Sequence, residues 1–592
     1  MPPPAPLDMP VQRFDGPPPP HTAPDPRPGV NLSPDDILTR RLLLILLTGL
    51  LATAASASVK EALLSDGLSL LDALLLLLFF PLFAWISFGF VTAAIGFILL
   101  ISGAHPGITP APKGSAPPSA RTAVLVPVHN EDVEAVFDRI ARMATMIDRA
   151  GAADRFAFFV LSDSGEAAEV EERAAWARLA PWLKVPLYYR RRTENVGRKP
   201  GNVADWVRNQ GGAYDFMLML DADSLMGGNT IVGMAQIMEQ RPSIALLQTV
   251  PMIIGATTFF QRWMQFASRF YGPVSTAGLV WWSGSESTFW GHNALIRIQA
   301  FAESCGLPDL PGRPPFGGTI MSHDMVEAAL LRRRGWRLHM LMVEDSFEEF
   351  PPTLIDQAVR DRRWAQGNIQ HLKLLVASGF HGISRLQLLI GASAYLMSPA
   401  WLVLIVTSIA QSLSDDDRTV HAVTSAQVLG VTLVLLFGPK LLSMIWAMAD
   451  RDRRASYGGV RGILASVALD VPLSILTAPV IALTQTIDLI NIVRGKPSGW
   501  SPQSRVRDGL AAADAMPRYY WHLAIGVALL GVSFLNPMLG AWLSPVTLGL
   551  LLAPWLAMET AKVRPGERLA KKGVFVVPGS VVAEPVRPLA LA

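Results

Sequence analysis

Phe216–Met217–Leu218–Met219–Leu220–Asp221–Ala222–Asp223–Ser224 is the stretch on which the fold turns. A short, unbroken apolar run with carboxylates behind it reads as a central parallel strand buried on both faces. The carboxyl end of such a strand is where an open α/β sheet holds its ligand. Asp221 and Asp223, spaced i, i+2 with only Ala222 between them, can both turn toward one hard cation and its phosphates. The pattern implies a nucleotide-diphosphate site. The alternative is a strand-end turn whose acids cap the next helix.

Working outward, further strands are expected at 122–128, 156–162, 185–190, 244–248 and 337–342, separated by amphipathic stretches such as 131–149, 168–179 and 229–240. That alternation predicts a mostly parallel sheet with helices on both faces over residues 120–378. The flanks are different. Residues 1–38 are crowded with proline and lack apolar periodicity, which predicts a disordered tail. Residues 39–104 hold two membrane-length apolar segments, and residues 385–558 a second membrane region of about six segments. Within it, 463–490 carries Pro472 and Pro479 and reads as a broken hairpin. Residues 559–592 form a basic tail.

Composition agrees with this division: 592 residues at 51% hydrophobic and a mean hydropathy of +0.33 are too apolar for a wholly soluble enzyme. The lipid bilayer is therefore a partner. Net charge is +3, and the arginines gather beside the apolar spans, which points to membrane orientation and to no nucleic acid. Arg451, Arg453, Arg454 and Arg461 follow one span, Arg494, Lys496, Arg505 and Arg507 the next, and the acidic loop Asp415, Asp416, Asp417 lies on the other side. This places both termini and the α/β domain in the cytoplasm. The single cysteine, Cys305, forms no internal disulfide. The first apolar stretch has no small-residue cleavage site behind it, so no signal peptide is expected.

Six other motifs fall at expected strand ends or helix starts. His129, Asn130 and Glu131 end the first strand, where a sheet-edge pocket would suit a nucleobase and ribose, or where acids would simply favour a helix N-terminus. Asp163 ends the second, as acceptor for a uracil imide or as a helix cap. Arg190–Arg191–Arg192 leads to Arg198, Lys199, Gly201 and Asn202; the latter group suits a diphosphate by charge and by backbone donors, while the arginine run can be a solvated face. Trp290, Gly291, His292 and Asn293, preceded by Trp281 and Trp282, offer aromatic faces and polar neighbours to a sugar, or interfacial anchors to a bilayer. Ser322, His323 and Asp324 open an amphipathic helix, where an ionised acid can act as a base or cap. Arg360–Asp361–Arg362–Arg363–Trp364 stands just before the return to the membrane, with Arg363 able to hold a leaving diphosphate and Trp364 an acceptor sugar.

In this order, the phrases PVHNED, LSDS, LDADS, YGPVSTAGL, FWGHNALIR, SHDMVEAAL and RDRRWAQGN resemble the processive family 2 glycosyltransferases, and in particular the glucans biosynthesis glucosyltransferase H family. The resemblance implies a multi-pass α-helical membrane protein with an inserted cytoplasmic α/β glycosyltransferase A-type domain, placed in the bacterial inner membrane. It implies an inverting enzyme that uses UDP-glucose and Mg²⁺ (or Mn²⁺) to build the β-1,2-linked backbone of osmoregulated periplasmic glucans, with passage of the growing glucan chain through the membrane region. It assigns Asp163 to the uridine, Asp221 and Asp223 to the diphosphate and metal, and Asp324 to the base. His129, Asn130, Glu131, Arg198, Lys199 and Arg363 would complete the donor site; Trp290, Gly291, His292, Asn293, His323 and Trp364 would form the acceptor site. The family also suggests an acyl carrier protein and a periplasmic glucan-biosynthesis protein as partners. Arg360 stands where cellulose-type synthases have Gln, and His323 where they have an acid. Rival readings are another processive β-glycan synthase, a catalytically silent nucleotide-sugar scaffold, a lipid-linked sugar transferase and a transporter; the last lacks a G-x-x-x-x-G-K-[ST] loop.

Overall fold

The computed structural model describes residues 1–25, 34–63, 69–109, 116–414, 418–496 and 507–579. Helices α1 (Ile37–Leu63) and α2 (Leu70–Ile101) are long and apolar enough to cross a bilayer. A capping box between Ser69 and Asp72 starts α2. Its far end delivers the chain to the α/β domain.

The domain is organised by a seven-stranded sheet. In chain order its strands and the small second sheet's are β1 (Thr122–Val128), β2 (Phe156–Ser162), β3 (Leu187–Arg191), β4 (Phe216–Met219), β5 (Leu225–Met226), β6 (Ile244–Thr249), β7 (Met252–Ile254), β8 (Ala294–Arg297), β9 (Arg337–Leu341) and β10 (Ser346–Glu349). The main sheet runs β3-β2-β1-β4-β8-β6-β9, and β5-β10-β7 forms the small one. All six expected strands are present, and β4 is central, with every residue buried. The sheet is mostly parallel, as expected, with one exception: β8 enters antiparallel between β4 and β6. Four residues following the sharp corner at Gly291–Asn293 give too short a pattern to announce a strand.

Helices cover both faces. On one lie α3 (Val133–Arg149), with a strongly one-sided apolar stripe, and, after α4 (Glu166–Leu179) and α5 (Arg198–Gln210), α6 (Gly228–Gln240). Ile140, Ile147, Met234 and Met238 pack there against Val124, Phe158 and Leu218. The opposite face is closed by α5 and, beyond α7 (Phe259–Ser283), by α8 (Ile298–Ser304) and α9 (His323–Arg333), whose Trp206, Phe301 and Leu330 pack on Leu125, Phe159 and Met217. Helix α7 carries the domain onto the membrane helices. A Cβ at Gly96 of α2 or Gly278 of α7 would collide with the facing backbone, so the two helices meet at a small-residue contact.

Next come α10 (Leu354–Gln370), α11 (Gly382–Ser414), α12 (Arg418–Ala449), α13 (Arg451–Ser456), α14 (Gly459–Val493), α15 (Ala512–Arg518), α16 (Tyr520–Leu535), α17 (Pro537–Leu551), α18 (Ala553–Thr560) and α19 (Val563–Lys571). Helix α14 corrects the expected broken hairpin: it runs 35 residues without interruption through Pro472 and Pro479. A proline removes one ladder bond, and packed neighbours tolerate the loss; here Gly549 of α17 brings its backbone against the Pro479 ring. Among the described residues α1, α2, α11, α12 and α14 are span-length, and α15/α16 and α17/α18 are pairs bent by 62° and 53°. Within the described residues the C-terminal region thus holds three to five spans, where about six segments were expected. The acidic loop at 415–417, Arg505, part of the proline-rich tail (26–33) and the last residues of the basic tail (580–592) lie outside the described residues.

The N-terminal tail differs from expectation. Residues 1–25 lie extended along the domain as a strap, with Ala5 N–H donating to Asn209 O, Gln12 N–H to Gly306 O and Thr22 N–H to Arg334 O. Met9 is buried in the core and Phe14 meets Phe380 edge to face. Proline-rich chain is already extended, so laying it in a groove costs less entropy than ordering an ordinary segment.

Candidate active site

The carboxyl ends of β1, β2 and β4 open into one cleft of about 1380 Å³, closed on its far side by β10, α9 and α10. His129, Glu131, Asp163, Arg198, Lys199, Asp221, Asp223, Trp290, Gly291, His292, His323, Asp324, Arg363 and Trp364 all line it. Fourteen residues spread over 236 positions of sequence, from His129 to Trp364, therefore share a cavity.

At the β2 end, Arg192 clamps both Asp163 oxygens at 2.8 Å. The His129 ring Nδ1 lies 2.9 Å from Asp163 O. The arginine run is no solvated face: Arg190 pairs with Asp205, Arg191 donates to Ser164 O and Arg192 holds Asp163. Asn130 is not a lining residue. Its left-handed backbone (φ 54°) turns the chain, its N–H donates to Ser164 Oγ and its Oδ1 accepts from Gly165 N–H.

At the β4 end, Lys199 reaches from the first turn of α5 to pair with Asp221 and to donate to Gly291 O at 2.7 Å. Burial would lower the Lys199 pKa, yet Asp221 and Asp324 outweigh it and hold the ammonium above its ordinary range. The His292 ring sits 3.4 Å from Glu348, and nearby Asp221, Glu348 and Asp223 raise its pKa against the opposing effect of burial. Glu348 itself is pushed up by burial and by repulsion from Asp223 and Asp221. Asn293 is a corner residue, with φ 50° and its amide donating to Ser346 Oγ and Phe347 O, and is not among the residues lining the cleft. Trp281 and Trp282 also point elsewhere, one under Arg40 of α1 and the other against Phe88 of α2.

Asp324 stands in the first turn of α9, where the helix dipole favours an anion. Gly291 passes directly over it: a Cβ there would lie 2.8 Å from the carboxyl carbon. Helix α10 supplies the roof. The Arg360 guanidinium stacks over Trp364 at 4.6 Å and Phe350 at 4.5 Å, and Trp364 and Trp290 leave 50% and 36% of their surface open. Such faces can take the apolar side of a sugar ring. Burial, with Arg360 and Arg198 nearby, lowers the Arg363 pKa, a sign of cations gathered at one place.

The cleft also contains Glu348, Glu349 and Arg360, and Glu327 lies behind it. Sequence reasoning leaves these four out of the site. A two-acid step in a four-residue strand and one acid in an apolar helix face carry little signal alone; Arg360 is marked only by its departure from Gln.

A family model described as "Glycosyl transferase family group 2" matches residues 216–448. Proteins named "Glucans biosynthesis glucosyltransferase H" from Rhodopseudomonas palustris and Caulobacter vibrioides are each 41% identical, over 94% and 92% of this chain and 79% and 85% of their own. The chain belongs to the glucans biosynthesis glucosyltransferase H family. Among solved structures, a mannosyltransferase from Pyrobaculum calidifontis in complex with GDP-Man and Mn²⁺ is 16% identical with a TM-score of 0.43, over 64% of this chain and 96% of that one.

This glucosyltransferase family member is a membrane protein with a glycosyltransferase domain, and its cleft carries acids and cations side by side. Asp221, Asp223 and Glu348 crowd hard oxygen donors at one end. Among the described residues no three His, Cys, Asp or Glu side chains form a ready-made metal cage. That donor set fits a divalent cation shared between one or two carboxylates and substrate phosphates better than a dedicated all-protein site.

Proposed function

We propose that this membrane glucosyltransferase polymerises glucose from UDP-glucose into a linear β-1,2-glucan, inverting at the anomeric carbon. The reading rests on one observation above the others: Asp163, Asp221, Asp223, Asp324 and Arg363 converge on a single cleft beside the membrane helices. Asp163, fixed by Arg192, faces the uracil. Arg198, Lys199 and Arg363 receive the diphosphate. Asp221 and Asp223 would hold Mg²⁺ or Mn²⁺, which supplies charge neutralisation for the departing UDP.

At the other end Asp324 takes the proton from an acceptor hydroxyl as its oxygen attacks C1, while the C1–O bond to UDP breaks and its electron pair leaves with UDP. General-base assistance of this kind contributes about 10²–10⁴-fold. Trp290 and Trp364 carry the acceptor end of the glucan. We read the domain and both termini as cytoplasmic, the membrane as the bacterial inner membrane, and residues 385–558 as the region that hands the glucan across. An acyl carrier protein and a periplasmic glucan-biosynthesis protein are the partners this family reading brings with it.

The test is incubation of purified protein with labelled UDP-glucose and Mg²⁺, followed by linkage analysis of the product. A β-1,2-linked polymer is expected. Single-sugar transfer to a lipid, or no UDP release, would refute the reading.

A further inference from the structure

Asp324 does not stand alone at the start of α9. His323 places Nε2 3.1 Å from Asp324 Oδ1 and Nδ1 3.1 Å from Glu327 Oε1, one helical turn along. The Glu327 side chain is 4% exposed and the His323 ring 12%. A buried carboxylate is costly unless a partner offsets it, and the neighbours of Glu327 on α9, Val326, Ala328 and Ala329, are the apolar residues that the core would otherwise select there. As mere packing, the pair gives α9 nothing that a leucine would not. Its other end touches Asp324, which lines the cleft.

We propose that His323 and Glu327 are positioning residues for glucosyl transfer and act through Asp324. Glu327 holds the imidazole, and the imidazole holds the Asp324 carboxylate toward the acceptor hydroxyl. The inference deepens the reading of Asp324 as base and rests on it. During transfer the acceptor proton passes to Asp324, the acceptor oxygen bonds C1, and UDP departs with the electrons of the broken bond. Asp324 then loses its charge. Glu327 remains as counter-ion, so the buried imidazolium is not stranded.

Burial pushes the Glu327 carboxyl above its usual range, and the neighbouring His323 imidazolium pulls it part of the way back down. Burial lowers the His323 pKa, but Asp324 and Glu327 more than reverse the effect, so the ring keeps its proton above the usual imidazole range. Lys199 of α5 opposes them. Around the same end of α9 stand Arg360 and Arg363 of α10, and His371 just beyond it, whose Nε2 lies 2.9 Å from Ser322 O. Turnover should therefore fall on the alkaline side as His323 loses its proton.

The experiment measures initial rates of polymer synthesis by full-length protein with UDP-glucose and Mg²⁺ across neutral to alkaline pH, for wild type, Glu327→Gln, Glu327→Asp, His323→Asn and Asp324→Asn. UDP binding reports that each variant is folded. Glu327→Gln should move the alkaline limb to lower pH by about one unit or more, with KM for UDP-glucose unchanged, and Glu327→Asp should restore part of the shift. His323→Asn should abolish that limb and lower kcat between about ten- and a hundredfold, the scale of an ångström-sized misplacement. Should Glu327→Gln lose UDP binding, His323→Asn, similar in volume, decides the matter alone. An unmoved alkaline limb in Glu327→Gln, or one retained in His323→Asn, overturns the proposal while an inactive Asp324→Asn leaves the base reading standing. An active Asp324→Asn overturns both.

Discussion

Gly291 and Asp324, 33 residues apart in sequence, approach so closely that a Cβ on the glycine would sit 2.8–2.9 Å from all three carboxyl atoms. The glycine has φ +88°, and its carbonyl accepts from Lys199, which also holds Asp221. One backbone turn therefore sets the spacing between Asp221 and Asp324, the acids proposed for the metal and the base. Gly291→Ala should strain the turn and displace Asp324, lowering polymer synthesis about a hundredfold while UDP binding persists. Steady-state synthesis beside UDP calorimetry checks this; full activity would mean that the two acids are positioned independently.

The crowding of Asp221, Asp223 and Glu348 leads to a prediction about the metal. Chelation should stop synthesis and added Mg²⁺ or Mn²⁺ should restore it, because repulsion that already raises the Glu348 pKa needs a cation to relieve it once phosphates arrive. Asp223→Ala should weaken UDP binding in the presence of the cation and have little effect in its absence. Synthesis that survives chelation would remove Asp221 and Asp223 from the metal role.

Arg192 and Asp163 form a half-buried pair at the cleft wall, with side chains 12% and 5% exposed. Removing one partner leaves a partly desolvated charge without its counter-ion, which costs about 1–3 kcal/mol. Arg192→Ala should thus destabilise the domain by about that amount and abolish UDP binding, whereas Arg192→Lys should keep part of the stability and lose the two-pronged grip on Asp163. Denaturant unfolding in detergent measures the first effect and calorimetry the second.

How the sequence announces these residues follows from local physics. Asp221 and Asp223 are legible because the apolar run before them admits one structure, a buried strand, and a strand end fixes where its acids go. Asp324 is legible because a polar triplet opens an amphipathic helix. Strand β8 is not, since four residues after a tight corner hold too little period, and its partner strands β4 and β6 lie far away in the chain. The unbroken course of α14 is hidden for a similar reason: whether a proline breaks a membrane helix depends on what packs behind it, here Gly549. Asn130 and Asn293 sit inside motifs, yet both serve the backbone at positive φ, a role that composition does not distinguish from ligand binding.

The strap is the least legible feature, and it carries the last prediction. Nothing in residues 1–25 suggests order, because what holds them lies elsewhere: Gly306, where a Cβ would collide with Pro10 O, the buried slot around Met9, and donors such as Arg333, which reaches Arg13 O at 2.6 Å. The strap crosses the C-terminal ends of α5, at Arg208 and Asn209, and of α9, at Arg333 and Arg334. Those two helices present Lys199 and Asp324 to the cleft from their opposite ends. Deleting residues 2–25 should therefore lower the unfolding temperature and reduce synthesis together, and Met9→Ala should alone cost about 2–5 kcal/mol as a large-to-small change in a core. A deletion variant that melts and synthesises like the full chain would show that α5 and α9 are held by the sheet alone.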